Sequence, residues 1–439
     1  MASLRMSKRL FPVILGALLV AYSAAALIFD ANTAGNGRAD SALCRYLPCG
    51  DRLPAQARNI AWQPLAEGIP SALPAFQEAL RRDPASPYRW SDLAEANLQA
   101  GLEEVARHCF RQAVRQGPHI PAILLRAANF HFTVGERHAA LKLGARCLTA
   151  FRDYDEAIFY QYLRMGGSLS DILRFGIPPE RPAARSFFRF LIRQGAGLGQ
   201  YSDLDGQLDL DGHRNADGHP DFDGLKQTWE WLHVHSLAEP DLLAEYVSSL
   251  LRRGRHREAV SVQTAFLGAD LSPAGSGNSL FNGGFEHEFA GSPLGWKIYP
   301  VEHAAAARDR HPNPNGSWVL RLDFDGQVNL DYGDVKQQVV VRPGPYRFRA
   351  RVRAEHLTTD QGVGFRLFDP KKRHRLDIDT PHVSGTSDWK RVEKDFTIPP
   401  GTELIEVRVV RRPSFKFDNK IAGTVWIDDV SLAPAAGAG

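Results

Sequence analysis

The sequence predicts a multidomain chain in three parts: an N-terminal transmembrane helix, an all-α array of paired helices, and a C-terminal all-β two-sheet sandwich. Three observations carry that reading. An uncharged apolar run extends from Leu10 to Phe29. A pattern with a period of about 34 residues recurs through the middle of the chain, the mark of a helical repeat. Segments that alternate apolar and polar residues, punctuated by proline and glycine, fill the last third, as half-buried strands require.

The N-terminal run is preceded by Arg5, Lys8 and Arg9 and followed by Asp30. About twenty apolar residues can cross a bilayer core as a helix, and the flanking charges place the N-terminus in the cytoplasm and the rest of the chain outside. Residues 1–30 are therefore expected to be a signal anchor, single-pass in the inner membrane, with the bulk in the periplasm. A cleaved signal peptide competes, since Ala21-Tyr22-Ser23-Ala24-Ala25-Ala26 supplies small residues at cleavage spacing; the apolar run continues past that site, which favours the anchor. Residues 31–54 read as a linker, where Cys44 and Cys49 could close a small loop in an oxidising compartment. Cys109 and Cys147 fall in helical patterns as small buried hydrophobes. With 53 Lys and Arg against 50 Asp and Glu, the net charge is +3, which gives no reason to invoke nucleic acid.

From Trp90 to Pro118 the face of one helix is Trp90, Leu93 and Ala94, a turn falls at Gly101, and the face of a second is Ala106, Phe110 and Ala113. One period earlier come Ala72, Phe76, Ala79 and Pro84; one later, Gly135 and Ala140. The spacing resembles the tetratricopeptide repeat, which implies an α-solenoid, expected over residues 55–270, that presents a groove to a protein partner. Gly144 stands where a bulky aromatic is expected, so that unit should pack more loosely or differently. Further amphipathic helices are read at Asp155 to Met165, Ala184 to Gln194, Leu225 to Leu237 and Asp241 to Arg253.

Within this region, at 203–224, Asp203, Asp205, Asp209, Asp211, Asn215, Asp217, Asp221 and Asp223 recur in four hexads, each closed by glycine. Calcium takes six to eight oxygen ligands, and alternating acidic residues with a turn glycine can wrap one. The pattern resembles the Asp-rich calcium loops of dockerin, thrombospondin-type and EF-hand proteins. In the last hexad Asp221, Asp223, Gly224 and Glu230 fall on EF-hand loop positions, although His219 takes the first. A solvated acidic loop is the alternative.

The last third opens with Asn282-Gly283-Gly284-Phe285-Glu286, reaches Trp296, and closes with Val425-Trp426-Ile427-Asp428-Asp429-Val430. The clearest strands are Trp318 to Phe324, Gln337 to Val341, Tyr346 to Val352 and Leu404 to Val410, and Pro343-Gly344 and Pro399-Pro400-Gly401 mark turns. The bracket resembles the galactose-binding-like jelly roll of carbohydrate-binding modules over residues 276–435. That resemblance implies polysaccharide binding, and a structural calcium held by Glu286 with Asp428 or Asp429. Sugar rings stack on aromatic faces; Tyr299, Tyr332, Phe415 and Phe417, in loops or at strand ends, are the surface candidates, whereas Trp296, Trp389 and Trp426 read as core. Arg349 lies in an outward row with Arg347, Arg351 and Arg353 that could meet an acidic polysaccharide or pair with neighbouring carboxylates.

The sequence offers no convincing catalytic framework: neither Gly-x-Ser-x-Gly nor His-Glu-x-x-His is present. It therefore predicts a non-enzymatic, membrane-anchored scaffold of a Gram-negative-type envelope that guides exopolysaccharide assembly or export. The alternative is a periplasmic protein-interaction scaffold whose sandwich is structural or docks protein.

Overall fold

The structure, a computed structural model, describes residues 68–164, 168–194, 222–268, 277–289, 291–310 and 318–435. The apolar run of residues 10–29, Cys44, Cys49 and the hexads as far as Asp221 lie outside them. Among the described residues no helix is long and apolar enough to cross a membrane. The chain divides into two compact units, residues 1–178 and 179–439.

The described residues of the first unit are helical: α1 (Gly68–Arg82), α2 (Pro87–Gln99), α3 (Glu103–Gln116), α4 (Pro121–Thr133), α5 (Arg137–Ala150), α6 (Asp155–Arg164) and α7 (Leu169–Asp171), which runs on into a π turn at Ile172–Gly176. Proline starts α2 and α4, where its missing N–H costs nothing. Gly101 and Gly135 join the pairs at φ of 77° and 80°. A Cβ added at either would meet nothing within 4 Å, so only the left-handed backbone demands glycine there. Ala106 and Ala113 are fully buried and let helices approach, while the rings of Phe110 and Phe130 meet at 5.0 Å.

At Gly144 packing is different rather than loose. The space an aromatic would fill is taken by Tyr162 of α6, whose hydroxyl donates to the carbonyls of Leu141 at 3.2 Å and Gly176 at 3.1 Å. A Cβ on Gly144 would stand 2.2 Å from that hydroxyl.

The second unit begins with α8 (Arg181–Gln194), α9 (Phe222–Val234), α10 (Pro240–Arg252) and α11 (His256–Leu267). Proline again starts α10, and Gly254 turns at φ 75° between α10 and α11. Phe188, Trp229 and Tyr246 form its aromatic centre. Buried Leu225, Trp229 and Leu232 recur at helical spacing, so α9 is helical from Phe222. Asp223 and Gly224 therefore lie on the helix where an EF-hand would hold them in a loop, and Glu230 is exposed two turns on.

Two antiparallel five-stranded sheets follow, built from β1 (Lys297–Ile298), β2 (Ala304–Arg310), β3 (Trp318–Asp325), β4 (Tyr332–Val340), β5 (Gly344–Leu357), β6 (Gly364–Phe368), β7 (Asp377–Asp379), β8 (Gly385–Ile398), β9 (Leu404–Arg411) and β10 (Ala422–Pro434). One sheet has the order β1-β4-β9-β6-β7 and the other β2-β3-β10-β5-β8. Alternate residues face inward, among them Val335 and Val339 of β4, Phe348 and Val352 of β5, Val407 and Val409 of β9 and Val425 and Ile427 of β10. Trp296 is buried against Phe285 at 5.4 Å between ring centres. Trp426 is buried too, but on the outer face beneath the Arg321 and Arg353 guanidiniums. Trp389, expected in the core, is half-buried on the outer face beneath Arg351.

Candidate functional site

A groove of about 340 Å³ lies where α10 faces the outer surface of the β1-β4-β9-β6-β7 sheet. Its floor follows from strand alternation: because Trp296 and Ile298 turn into the core, Lys297 and Tyr299 turn out. The N–H of Tyr299 donates to the Asp334 carbonyl at 2.9 Å, which holds this short edge in the ladder. On β4 the outward residues at the groove are Lys336 and Gln338, and on β9 Leu404 and Glu406. The wall opposite comes from Ser248, Leu251 and Arg252 of α10, and Pro370 and Lys371 of the β6–β7 connection close one end.

Three sets of bonds hold the walls. His256 at the start of α11 meets the Glu403 carboxylate at 2.9 Å, and the Ser292 hydroxyl bonds Gln263 of the same helix. Buried Asp369 accepts the N–H groups of Lys371 and Lys372 at 2.8 and 2.9 Å and the Thr402 hydroxyl at 3.0 Å, which fixes the turn that carries Lys371. Burial pushes the Asp369 carboxyl up, but those three donors outweigh it and hold the group below the usual range.

The electrostatics of the sheet are uneven. Register places Lys297 opposite Lys336, Lys336 opposite Arg408, and Arg408 opposite Arg366. Arg408 pairs with Glu406 at 2.9 Å and Arg366 with Asp377 at 2.7 Å. Among the described residues no carboxylate lies within ion-pairing distance of Lys297, Lys336, Lys371 or Arg252. Lys336 instead sits over the Tyr299 ring, 4.7 Å from its centre. Burial, with Lys336 adding, lowers the Lys297 ammonium from its ordinary range. Like charges directly opposed across strands cost roughly 0.2–1 kcal/mol, so the fold carries an uncompensated repulsion at this point.

The sequence-predicted residues fall in four places. Tyr299 is in the groove and the residue is 43% exposed. Tyr332 is buried against Phe324, because a bulge in β4 between Tyr332 and Val335 turns it into the core; it has no surface to offer a sugar. Phe415 and Phe417 are fully exposed in the β9–β10 connection, beyond the end of β9 remote from Leu404. Buried Arg411 braces that connection by donating to the carbonyls of Leu330 and Asn419. Arg349 lies on the other sheet, where the arginine row is neutralised: Arg347 pairs with Asp395 at 2.6 Å, Arg349 with Glu393 at 3.4 Å and Arg351 with Asp429 at 3.3 Å, and Arg353 bonds Glu355.

The opening and closing motifs do meet. Glu286 and Asp428 flank Gly284, and Gly283 lies so close to the Val430 carbonyl that a Cβ there would clash at 1.9 Å. A bulge between Asp428 and Ser431 displaces β10 at this point. Burial pushes the Asp428 carboxyl up to about 6, against the Asp429 N–H, with the Asp429 and Glu286 charges adding. Glu286 accepts the Trp318 N–H at 3.3 Å and Asp429 turns to Arg351. Among the described residues no three His, Cys, Asp or Glu side chains gather to hold a metal, so calcium at this pair would need backbone carbonyls as well.

The sequence reading missed Lys297, Lys336, Lys371, Arg252, Gln338 and Ser248. Alternation around Trp296 could have shown Lys297 facing outward with Tyr299. The juxtaposition with Lys336 and α10 depends on register and packing, which no local pattern encodes.

No family model matches the chain, and no curated protein matches it. Solved structures give partial likenesses. Tailspike protein 4 of bacteriophage CBA120 is 16% identical, with TM-score 0.26, over 36% of this chain and 21% of that one. The CBM22-1 xylan-binding domain from Paenibacillus barcinonensis is 12% identical, with TM-score 0.25, over 35% of this chain and 93% of that one. MamA is 15% identical, with TM-score 0.25, over 43% of this chain and 99% of that one. The chain thus spans about a fifth of the tailspike domain's length and nearly all of the other two.

Proposed function

We propose that this protein is a non-enzymatic polysaccharide-binding scaffold, anchored in the inner membrane through residues 10–29 with its bulk in the periplasm, where it guides exopolysaccharide assembly or export. The observation that carries the binding role is the groove, in which the half-exposed Tyr299 ring stands among hydrogen-bonding side chains. Its volume of about 340 Å³ falls in the ordinary range for small-ligand clefts. An aromatic face to stack on a sugar ring and polar groups to bond its hydroxyls are what saccharide binding requires. Tetratricopeptide-like helix pairs in the first unit would dock a protein of the assembly machinery. Calcium belongs to the reading as a structural ion at the first three hexads and at Glu286 with Asp428.

Titration calorimetry of the full chain in detergent, over a panel of bacterial glycans with and without calcium, tests it. At least one glycan should bind, and Tyr299→Ala should weaken it about tenfold, equivalent to about 1.4 kcal/mol; silence from the whole panel overturns the sugar reading. A second reading is favoured by Phe415 and Phe417, whose full exposure on a braced connection suits a protein-docking surface. Under that reading a double alanine substitution there, and not Tyr299→Ala, abolishes association with the partner.

A further inference from the structure

The cations that line the groove lack the carboxylate partners that the β5 arginine row has, and the difference names a ligand class. On the β2-β3-β10-β5-β8 sheet each arginine of the β5 row has a carboxylate partner. In the groove Lys297, Lys336, Lys371 and Arg252 have none among the described residues, and the one carboxylate lining it, Glu406, already serves Arg408. Lys297 and Lys336 face each other across β1 and β4, half-buried, with the Tyr299 ring beside them. A solvated surface would let such cations splay apart or pair. A concave wall that gathers them beside an aromatic ring supplies charge for an anion that also has a face to stack.

We propose that the groove binds a saccharide bearing anionic substituents, a uronate carboxylate or a sulfate ester, with its acidic group among Lys297, Lys336, Lys371 and Arg252 and its ring against Tyr299. The inference rests on the groove being the sugar site and adds the charge of the sugar. Lysines accept either anion as point charges, whereas Arg252 can grip one through two N–H groups.

The test uses the full chain with three probes: an oligogalacturonate, a sulfated dextran oligosaccharide, and a neutral xylo-oligosaccharide of similar length. The carboxylated probe, the sulfated probe or both should bind at least about tenfold more tightly than the neutral one. That preference should fall as salt rises from about 50 to about 300 mM, because exposed charges are screened over a shorter distance. The double substitution Lys297→Met with Lys336→Met should remove the preference while leaving the melting temperature equal or higher, since it deletes a repulsion. If that variant fails to fold, Lys371→Met and the salt dependence of the unaltered chain decide. Neutral and acidic probes bound equally, without salt dependence, overturn the inference and leave the sugar reading standing. Acidic binding that survives the double substitution with its preference intact also overturns it. Silence from all three, with no other glycan binding, sinks both.

Discussion

Asp369 donates nothing and does not line the groove, yet three donors converge on its buried carboxylate and the turn carrying Lys371 depends on them. Asp369→Ala should cost about 1.5–3 kcal/mol, the range for hydrogen bonds to a charged group, read as a lower urea midpoint. Its folded pKa lies below the unfolded value of about 3.9. The stabilisation is therefore fully present above that unfolded value and fades as pH falls through the lower folded one; the gap between Asp369→Ala and the unaltered chain should be full at neutral pH and narrow in strong acid. At this scale the sequence was half legible. Tyr299 and Tyr332 look alike as aromatic residues at strand ends, but one lines the groove and the other fills the core, because a bulge two residues downstream reverses the second. Bulges leave no reliable local signature. The outward arginines of β5 were legible as a row, while their partners, Asp395 and Glu393 on β8 and Asp429 on β10, came into view only with strand pairing.

Among the elements, the paired helices were plain from spacing, since proline at a first turn and glycine at a left-handed position each have one physical reason to be there. Gly144 stood out of pattern for a reason the pattern does not contain: Tyr162 reaches back from α6 and is bonded by a carbonyl of the π turn. That contact brings together residues from three helical segments, and no period reveals it. Gly144→Ala should destabilise the first unit by about 1–3 kcal/mol, as overpacking of a tight core does. Gly101→Ala meets no atom and should cost only backbone strain, on the order of 1 kcal/mol. Urea unfolding followed by far-ultraviolet circular dichroism separates them, and equal losses would refute the steric account. Of the strands, β3, β4, β5 and β9 were legible from alternation, and β5 runs past its cleanest stretch where its register against β8 shifts.

For the molecule as a whole, the change from helical to strand periodicity near residue 270 suggests a boundary there, whereas the compact units divide at Pro178 and Pro179. Periodicity reports the type of an element and is silent about its packing partner. Here α10 and α11 belong with the sandwich through His256 with Glu403 and Gln263 with Ser292. A fragment of residues 179–439 should accordingly melt higher than one of residues 276–439, which would bare the face that α10 and α11 cover; the reverse order in calorimetry would show that these helices add nothing. The groove between them has a thermodynamic reach beyond recognition. One wall is a helix near residue 250 and the floor is strands near residues 297, 336 and 405, so a bound molecule is a clasp across segments that separate when the unit opens. At a free concentration a hundred times its Kd it adds about 2.7 kcal/mol, and only to states in which helix and sheet are both in place. Occupancy should therefore sharpen unfolding into a single step and slow proteolysis of the stretch that links α11 to β1, a reporter of binding in cells that needs no knowledge of what is bound.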